Sequence, residues 1–461
     1  MGISLCGDEM ARSRSLGFEW GIRPGAALRA VLAAALWLSP ISAGVAMAEE
    51  AERAEPRETG TEVSQYYSIE VPARRDMVER GRTVLERWRP DYIPLGIRAG
   101  SFIVRPGLDV QESYTDNVFS SETSEKSDFI TRFIPRVSVA STWSNHAVSA
   151  FASGNIGRHK EYSFEDYEDY TLGATGRLDI QRSTNVSGRL ETQQRHEARN
   201  SPDDPGGLRP QEYDVQIARV DGFHRINRVS FALGLGVEQY DYDGAPTRDR
   251  SDYTTSLRVG YELVQNYEAF VRLTHNIRDY DRGMDGAGLD RDSEGYEAVA
   301  GVRIDFGGIT FGDFFLGYRR QDYQSPVFND SSGPVIGAEV TWNVTPLTTF
   351  IGTITREIRE STLADGMGGF ASGSFYTTFT INAQHELLRN LILEGDLGYS
   401  NDDFKGIDRS DDIFFAGLGA SYFMTRNFYI RGGYEHRMRD SNIVGSDYTE
   451  NVVFVRLQAQ Y

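Results

Sequence analysis

From about residue 102 to its end the chain alternates apolar and polar residues with a period of two, and this limits its fold more than anything else. Tyr253, Thr255, Leu257, Val259, Tyr261 and Leu263 alternate with Thr254, Ser256, Arg258, Gly260 and Glu262. Phe231, Leu233, Leu235 and Val237 do the same, as do Tyr296, Ala298, Ala300, Val302, Ile304 and Phe306. Successive side chains of a strand point to opposite faces, so each segment reads as a strand with one apolar and one polar face. Eighteen can be counted, centred near residues 108, 135, 152, 174, 190, 218, 235, 258, 272, 300, 316, 339, 354, 380, 396, 417, 432 and 455. Every second connection is short, as at Trp143–His146, Gln265-Asn266 and Met424–Asn427. The others are longer and rich in Asp, Gly, Ser and Asn, as at 115–127, 196–211, 281–294, 360–373 and 438–447. Tight turns on one side and long polar loops on the other describe an all-β, antiparallel, up-and-down transmembrane barrel of about eighteen strands.

A soluble propeller or a set of tandem sandwiches is the alternative. It would have to bury the Arg, Glu, Gln, Thr and Gly of the second faces in a dry core, which unpaired polar groups do not tolerate. Aromatics are also expected at strand ends, as interfacial girdles. Tyr213, Tyr253, Tyr296 and Phe375 begin descending strands, while Phe306, Trp342, Phe423 and Phe428 flank short turns. Length alone, 461 residues, suggests about three domains at roughly 150 residues each. A mean hydropathy of −0.44 excludes a helical membrane protein.

Residues 1–48 read as a secretory signal: Arg12, Arg14, Arg23 and Arg29 precede the apolar run Ala30–Ser39, and Ala46-Met47-Ala48 supplies the cleavage site. The apolar run is too short for a transmembrane anchor. Cleavage would remove the single cysteine, Cys6, leaving neither disulfide nor thiolate chemistry. It would also remove four arginines and three acids, taking the formal charge from −19 to −20. An acidic exported protein has no electrostatic case for binding nucleic acid. Residues 49–101 are read as a periplasmic extension. Glu49–Thr61 is acidic and featureless, and Met77–Trp88 has the spacing of one short helix, weakened by Gly81. A leader wrapped under the barrel is the favoured reading of this extension, a periplasmic docking element or partial plug the other. A full plug domain of the TonB-dependent kind would need well over the roughly fifty residues present.

The last strand alternates Val453, Val455, Leu457, Ala459 and Tyr461 with Val452, Phe454, Arg456, Gln458 and Gln460, ending on an aromatic. Val455, Leu457, Ala459 and Tyr461 resemble the signal read by the outer-membrane assembly machinery, with Tyr in place of the usual Phe. The segment Ile103–Phe119 (IVRPGLDVQESYTDNVF) resembles the opening of the putative β-barrel porin 2 family of Gram-negative outer-membrane proteins, most specifically at Tyr114, Asp116, Asn117, Val118 and Phe119. The resemblance implies a barrel in the outer membrane, in contact with its lipid. It also implies a link to exopolysaccharide or capsule production, with polysaccharide and its export proteins as partners. Physically, Asp-Asn at a strand end suits a turn, so a structural role for Asp116 and Asn117 outweighs ligand contact.

No catalytic set emerges. The seven histidines are dispersed, and no G-x-S-x-G elbow or nucleotide loop is present. No cofactor or metal is expected: Asp281, Asp285, Asp290 and Asp292 crowd one loop without the spacing of a calcium site. The functional residues are expected on the inner faces. The pore-lining candidates are Arg132, Arg136, Arg189, Glu191, Arg258, Glu262, Glu268, Arg272, Glu297, Arg303, Asp305, Arg319, Glu339, Glu394, Asp396, Arg431 and Arg456. Eighteen strands leave an aqueous channel, and mixed charge keeps it wet and selective. The same residues would also brace neighbouring strands as cross-strand pairs. Phe270, Phe311, Phe315, Phe414, Tyr422, Tyr429 and Phe454 are expected inward, with the register of 412–423 depending on whether Phe414, Leu418 and Tyr422 or Ile413, Phe415 and Phe423 face the lumen. The expected function is a porin-like, non-enzymatic channel for saccharide or exported polysaccharide. The alternatives are a non-conducting barrel anchoring a surface-polysaccharide machine, and a lipid-modifying enzyme.

Overall fold

Antiparallel pairing runs without interruption around a closed ring in the computed structural model, which describes residues 82–204, 207–282, 289–364 and 369–461. Residues 1–81, on which the expected signal segment and most of the expected periplasmic extension fall, lie outside the described residues. A short strand, β1 (Ile97–Ala99), precedes eighteen long ones. The first half of the ring is β2 (Phe102–Thr115), β3 (Asp128–Ser141), β4 (Ala147–His159), β5 (Tyr167–Gln181), β6 (Thr184–His196), β7 (Glu212–Ile226), β8 (Val229–Tyr242), β9 (Arg250–Val264) and β10 (Tyr267–Tyr280). The second half is β11 (Ser293–Asp305), β12 (Thr310–Tyr323), β13 (Ser331–Thr345), β14 (Thr348–Arg359), β15 (Gly373–Leu388), β16 (Leu391–Lys405), β17 (Ser410–Phe423), β18 (Phe428–Ser441) and β19 (Tyr448–Gln460). All eighteen expected strands are present; β1 was not anticipated.

Each strand pairs with its sequence neighbour, and β19 closes on β2 from Val452↔Thr115 to Gln460↔Gly107. The ladder continues where β19 stops: Tyr461 N–H donates to Pro106 O, and β1 pairs with the first residues of β2. Strands of 12 to 16 residues exceed the roughly 9–11 that a tilted transmembrane strand needs, so they project beyond the hydrocarbon. The tight turns use residues that tolerate the left-handed region: Asn227 and Asn266 adopt φ of 53° and 70°.

The residues that carry the family resemblance build the closure itself. The Asn117 side-chain amide donates to Ser121 O (2.8 Å) and Thr449 O (2.9 Å) and accepts from Ser121 N–H (3.0 Å). Asp116 accepts from the backbone and side-chain amides of Asn451 at 2.8 and 2.7 Å. The pair thus ties the first outer loop to the last strand.

The two faces separate cleanly. The outward face carries the exposed large apolar side chains, among them Leu273, Leu418 and Val455. Of the expected girdle, Tyr296, Phe306, Trp342 and Phe428 are outward and exposed. Tyr213 and Phe423 are instead turned inward and buried, each in an apolar cluster on the lumen side. The register of β17 also corrects the expectation for Phe414 and Tyr422: both face outward, 40% and 44% exposed, while Phe415 and Phe423 face in. Apolar residues occupy both faces of this strand, so they do not fix its parity. Its polar residues do: Asp411, fully buried, needs Arg409 and Arg439, and Ser421 donates to Glu394. Phe270, Phe311, Phe315, Tyr429 and Phe454 lie on the inward face.

Inward aromatics rest over glycines. A Cβ at Gly398 would lie 1.8 Å from the Phe415 ring. Gly398→Ala is therefore expected to destabilise the barrel by about 1–3 kcal/mol through overpacking. A lower temperature for the heat-dependent mobility shift in detergent gels checks this.

Candidate channel lumen

All seventeen pore-lining candidates occupy inward register positions, and most are held in ion pairs along the wall. Arg189 pairs with Glu191. Arg258 reaches Glu268 at 2.6 Å. Glu297 sits between Arg272 (3.1 Å) and Arg319 (3.9 Å). Arg303 and Asp313 form a two-point pair at 2.7 and 2.8 Å. Arg431 lies 3.3 Å from Glu394, Arg136 2.6 Å from Asp109, and Arg225 3.4 Å from Glu262. Asp396 accepts from Asn382 at 2.7 Å, and Arg456 donates to Gln111 at 2.8 Å. Arg132 stands opposite Gln111, and Glu339 opposite Asp313. Asp305 does something more local, accepting from Gly308 N–H at 2.6 Å to close its tight turn. Charge ladders of this kind brace strands and keep the inner wall polar.

Two of the inward aromatics are capped by guanidinium groups. Arg258 lies 4.1 Å above the Phe270 ring and Arg272 4.7 Å above Phe315. Alternation alone did not reveal an apolar patch near the outer mouth, formed by Tyr213, Val215, Ile217 and Tyr242. Arg248 covers Tyr242 at 4.1 Å, and Arg250 covers Tyr240 at 4.0 Å.

At the short-turn end the chain before β1 crosses the inner wall of β14 to β18. Val84 is fully buried against Ile392 and Phe423. Val84 N–H donates to Thr349 Oγ1 (3.1 Å) and Leu85 N–H to Gln384 Oε1 (3.2 Å). Arg89 spans Val84 O and Glu386 Oε2, both at 2.8 Å, and the Tyr429 hydroxyl donates to Tyr92 O. The expected helix over Met77–Trp88 is absent over its described part, where 84–86 form a turn. Thr83 and Glu86 cap each other in that turn at 2.9 and 3.3 Å. The reason is visible in the donors: the amides of Val84 and Leu85 are committed sideways to the wall and cannot feed a helix. Met77–Gly81 lie outside the described residues.

At the other end, long loops interlock. Asp203, after β6, accepts from Ser361 Oγ (3.0 Å) and Thr362 N–H (3.1 Å), after β14. These connections lie eight strands apart in the ring of eighteen, so they meet across the opening. Arg199–Glu165 (2.7 Å) and Arg248–Glu197 (2.9 Å) tie the clasp to neighbouring outer loops, and Arg278–Glu360 (2.6 Å) ties it to β10. Arg291 donates to Ser361 O and Ala371 O, both at 3.1 Å. Burial raises the Glu197 carboxyl, with Asp203 and Asp204 adding to the rise and Arg248 opposing it. Burial likewise raises Glu360, against the pull of Arg278. Among the described residues no group of acidic, His or Cys side chains could hold a metal ion. Several histidines serve the wall, as His224 does with Thr184 and His385 with Thr348.

Both devices make predictions. Arg89→Gln removes the partner of a carboxylate that is almost wholly buried, which costs about 3 kcal/mol. Amide hydrogen exchange over 83–92 should then speed up about a hundredfold, while β14–β18 stay protected. For the clasp, a carboxyl with a raised folded-state value holds more protons than its hydrated counterpart. Clasp stability therefore grows as pH falls towards the ordinary Glu value and is lost as pH rises through the raised one. Conductance is expected to fall on mild acidification, with Glu197→Gln plus Glu360→Gln flattening the response; a conductance–pH series checks it.

Similar barrels are known among solved structures. OpdK of Pseudomonas aeruginosa, crystallised with vanillate, aligns with a TM-score of 0.43 at 13% identity, covering 78% of this chain and 99% of that one. OpdO of the same organism aligns at 0.43 and 14% identity, covering 78% and 97%. A mutant ferric enterobactin receptor, PfeA, also from P. aeruginosa, aligns at 0.43 and 8% identity, covering 78% and 80%. No curated protein matches the chain. The family described as putative beta-barrel porin 2 matches residues 89–461, from within the inner-wall strap through the closing strand to Tyr461, and the chain belongs to that family.

Proposed function

We propose that this porin-like barrel is an outer-membrane channel for hydrophilic solutes of the saccharide class, working in the export or surface assembly of polysaccharide. The carrying observation is the inner wall: a closed ring of eighteen strands with ionised residues on its concave side. Its outward face carries exposed apolar side chains suited to lipid. Such a wall is compatible with water in the lumen and incompatible with a dry core. Family and fold favour a channel over an enzyme. In this reading the last strand, with Val455, Leu457, Ala459 and Tyr461 outward, is the segment that the assembly machinery reads.

One observation favours the second reading, a non-conducting barrel that anchors a polysaccharide machine. Protein occupies both ends of the lumen: the strap lies along the inner wall of β14 to β18 at one, and the loop clasp spans the other. Planar-bilayer recording separates the two. Full-length protein that inserts is expected to give discrete conductance steps, and vesicles containing it should swell in isotonic small sugars. Correctly folded barrel that inserts and never conducts would sink the channel reading in favour of the anchor.

A further inference from the structure

Every strand of the ring has two partners, but β13 and β14 share only the part of their length nearer the short turns. Their pairing runs from Thr345↔Thr348 to Ile336↔Arg356 and stops there. Towards the outer end β13 stays paired to β12 as far as Ser331, and β14 to β15 as far as Arg359. Residues 331–335 and 357–359 are thus unpaired with each other, the longest parting of two neighbouring strands among the described residues.

The clasp accounts for the parting. Ser361 and Thr362, just past β14, reach across the opening to Asp203, which draws the end of the β14–β15 pair inward from β13. The side chains record the shift. Ile358 and Phe375 hold outward register positions, yet they are 4% and 6% exposed. Gly333 is inward, and a Cβ there would stand 2.7 Å from the Phe375 ring. The outward side of β14–β15 therefore lies behind the inward side of β13. Beyond the parting, Ser372 Oγ donates to Asn329 O at 3.2 Å. The result is a window in the wall, bounded at both ends and sealed by one aromatic ring.

Its level and chemistry indicate an occupant. On the outward face the exposed Tyr318 stands opposite Pro334, while the exposed Trp342 marks the other rim. Aromatics gather at membrane interfaces, so the window lies among the outer head groups, where the parted backbone groups are not in hydrocarbon. A proline in a strand has no N–H to give, and Pro334 makes this edge a poor template for an added strand. Arg356, on the lipid side of the last rung, donates to Thr377 Oγ1 (2.9 Å) and lies 5.0 Å above the Phe375 ring. Among the described residues it has no carboxylate partner. Ser331 Oγ, Thr355 Oγ1, Arg356 Nε and Arg359 Nη2, all within one rung of the parting, are buried without a hydrogen-bond partner. Buried polar atoms are ordinarily satisfied, and a phosphate bonds strongly to guanidinium and hydroxyl donors.

We propose that this window is a side entrance, through which the phosphorylated head group of an outer-leaflet amphiphile passes into the lumen. Arg356 meets it on the lipid side, and Ser331 and Arg359 receive it on the inner side. This goes beyond the channel reading and holds whether or not the barrel conducts from end to end.

The full-length protein with Cys6→Ser has no cysteine, so single cysteines report where a lipid reaches. Val335→Cys lies in the parting on the inner face, and Thr353→Cys on the same face below it. Each is reconstituted in phosphatidylcholine vesicles containing a phosphatidylethanolamine with maleimide on its amine, which keeps its phosphate. Relative to a small water-soluble maleimide, this lipid should react about tenfold or more faster at Val335→Cys than at Thr353→Cys. Arg356→Gln should slow the reaction at Val335→Cys about threefold or more, without slowing an uncharged maleimide-bearing diacylglycerol. The heat-dependent mobility shift verifies folding, and Ser331→Cys replaces Val335→Cys if the latter does not fold. Equal relative rates at the two positions would overturn the proposal, as would an Arg356→Gln effect that is nil or the same for both lipids.

Discussion

Backbone hydrogen bonding in hydrocarbon governs this molecule. Each N–H or C=O left unpaired in lipid costs several kcal/mol, so a sheet in a membrane cannot have an edge. The seam between β19 and β2 is where that demand is met. It is extended by Tyr461 N–H on Pro106 O and by β1, which takes over the first residues of β2. Asp116, Asn117 and Asn451 secure its outer end. The most specific sequence resemblance therefore coincides with a physical necessity of closure rather than with a ligand site.

Closure frees the inner wall from the hydrophobic effect. Once lipid covers the outside, the concave face can carry ionised residues at almost every level, provided they are paired or hydrated. Most are paired to a neighbour two residues on or one strand across, which stiffens the wall. The same face also anchors segments that are not strands. The strap inserts Val84 between Ile392 and Phe423, and the outer clasp rests on Arg278, Arg291 and Arg248. What a solute would meet is set by these additions as much as by the strands.

The strands were legible because their period is a local property: lipid on one side and water on the other impose alternation residue by residue. Faces failed where both sides of a strand carry apolar groups. Phe414 and Tyr422 were expected inward and lie outward, since Asp411 and Ser421 choose the parity through partners on β16 and β18. Tyr213 and Phe423 were expected at the membrane interface and instead pack in the lumen, one in the outer apolar patch and one under the strap. Over its described part, residues 82–88, the expected helix before β1 gave way to a turn, because Thr349 and Gln384 claim its amides from more than 260 positions away. No spacing rule reaches that far.

The sequence by itself determined that this chain is a transmembrane β-barrel of eighteen strands, which connections are tight, and which ionisable residues lie on the polar face. Those follow from local physics: a period of two, turn chemistry, and the exclusion of charge from lipid. Only the tertiary structure decided how those charges are grouped. Cross-strand register aligned Arg431, Arg456 and Arg132 in one row and divided most other charges into pairs. Closure brought Asp203 to Ser361 and Arg89 to Glu386. Register and closure relate residues hundreds of positions apart, and the field inside the barrel depends on that relation rather than on the composition of the chain.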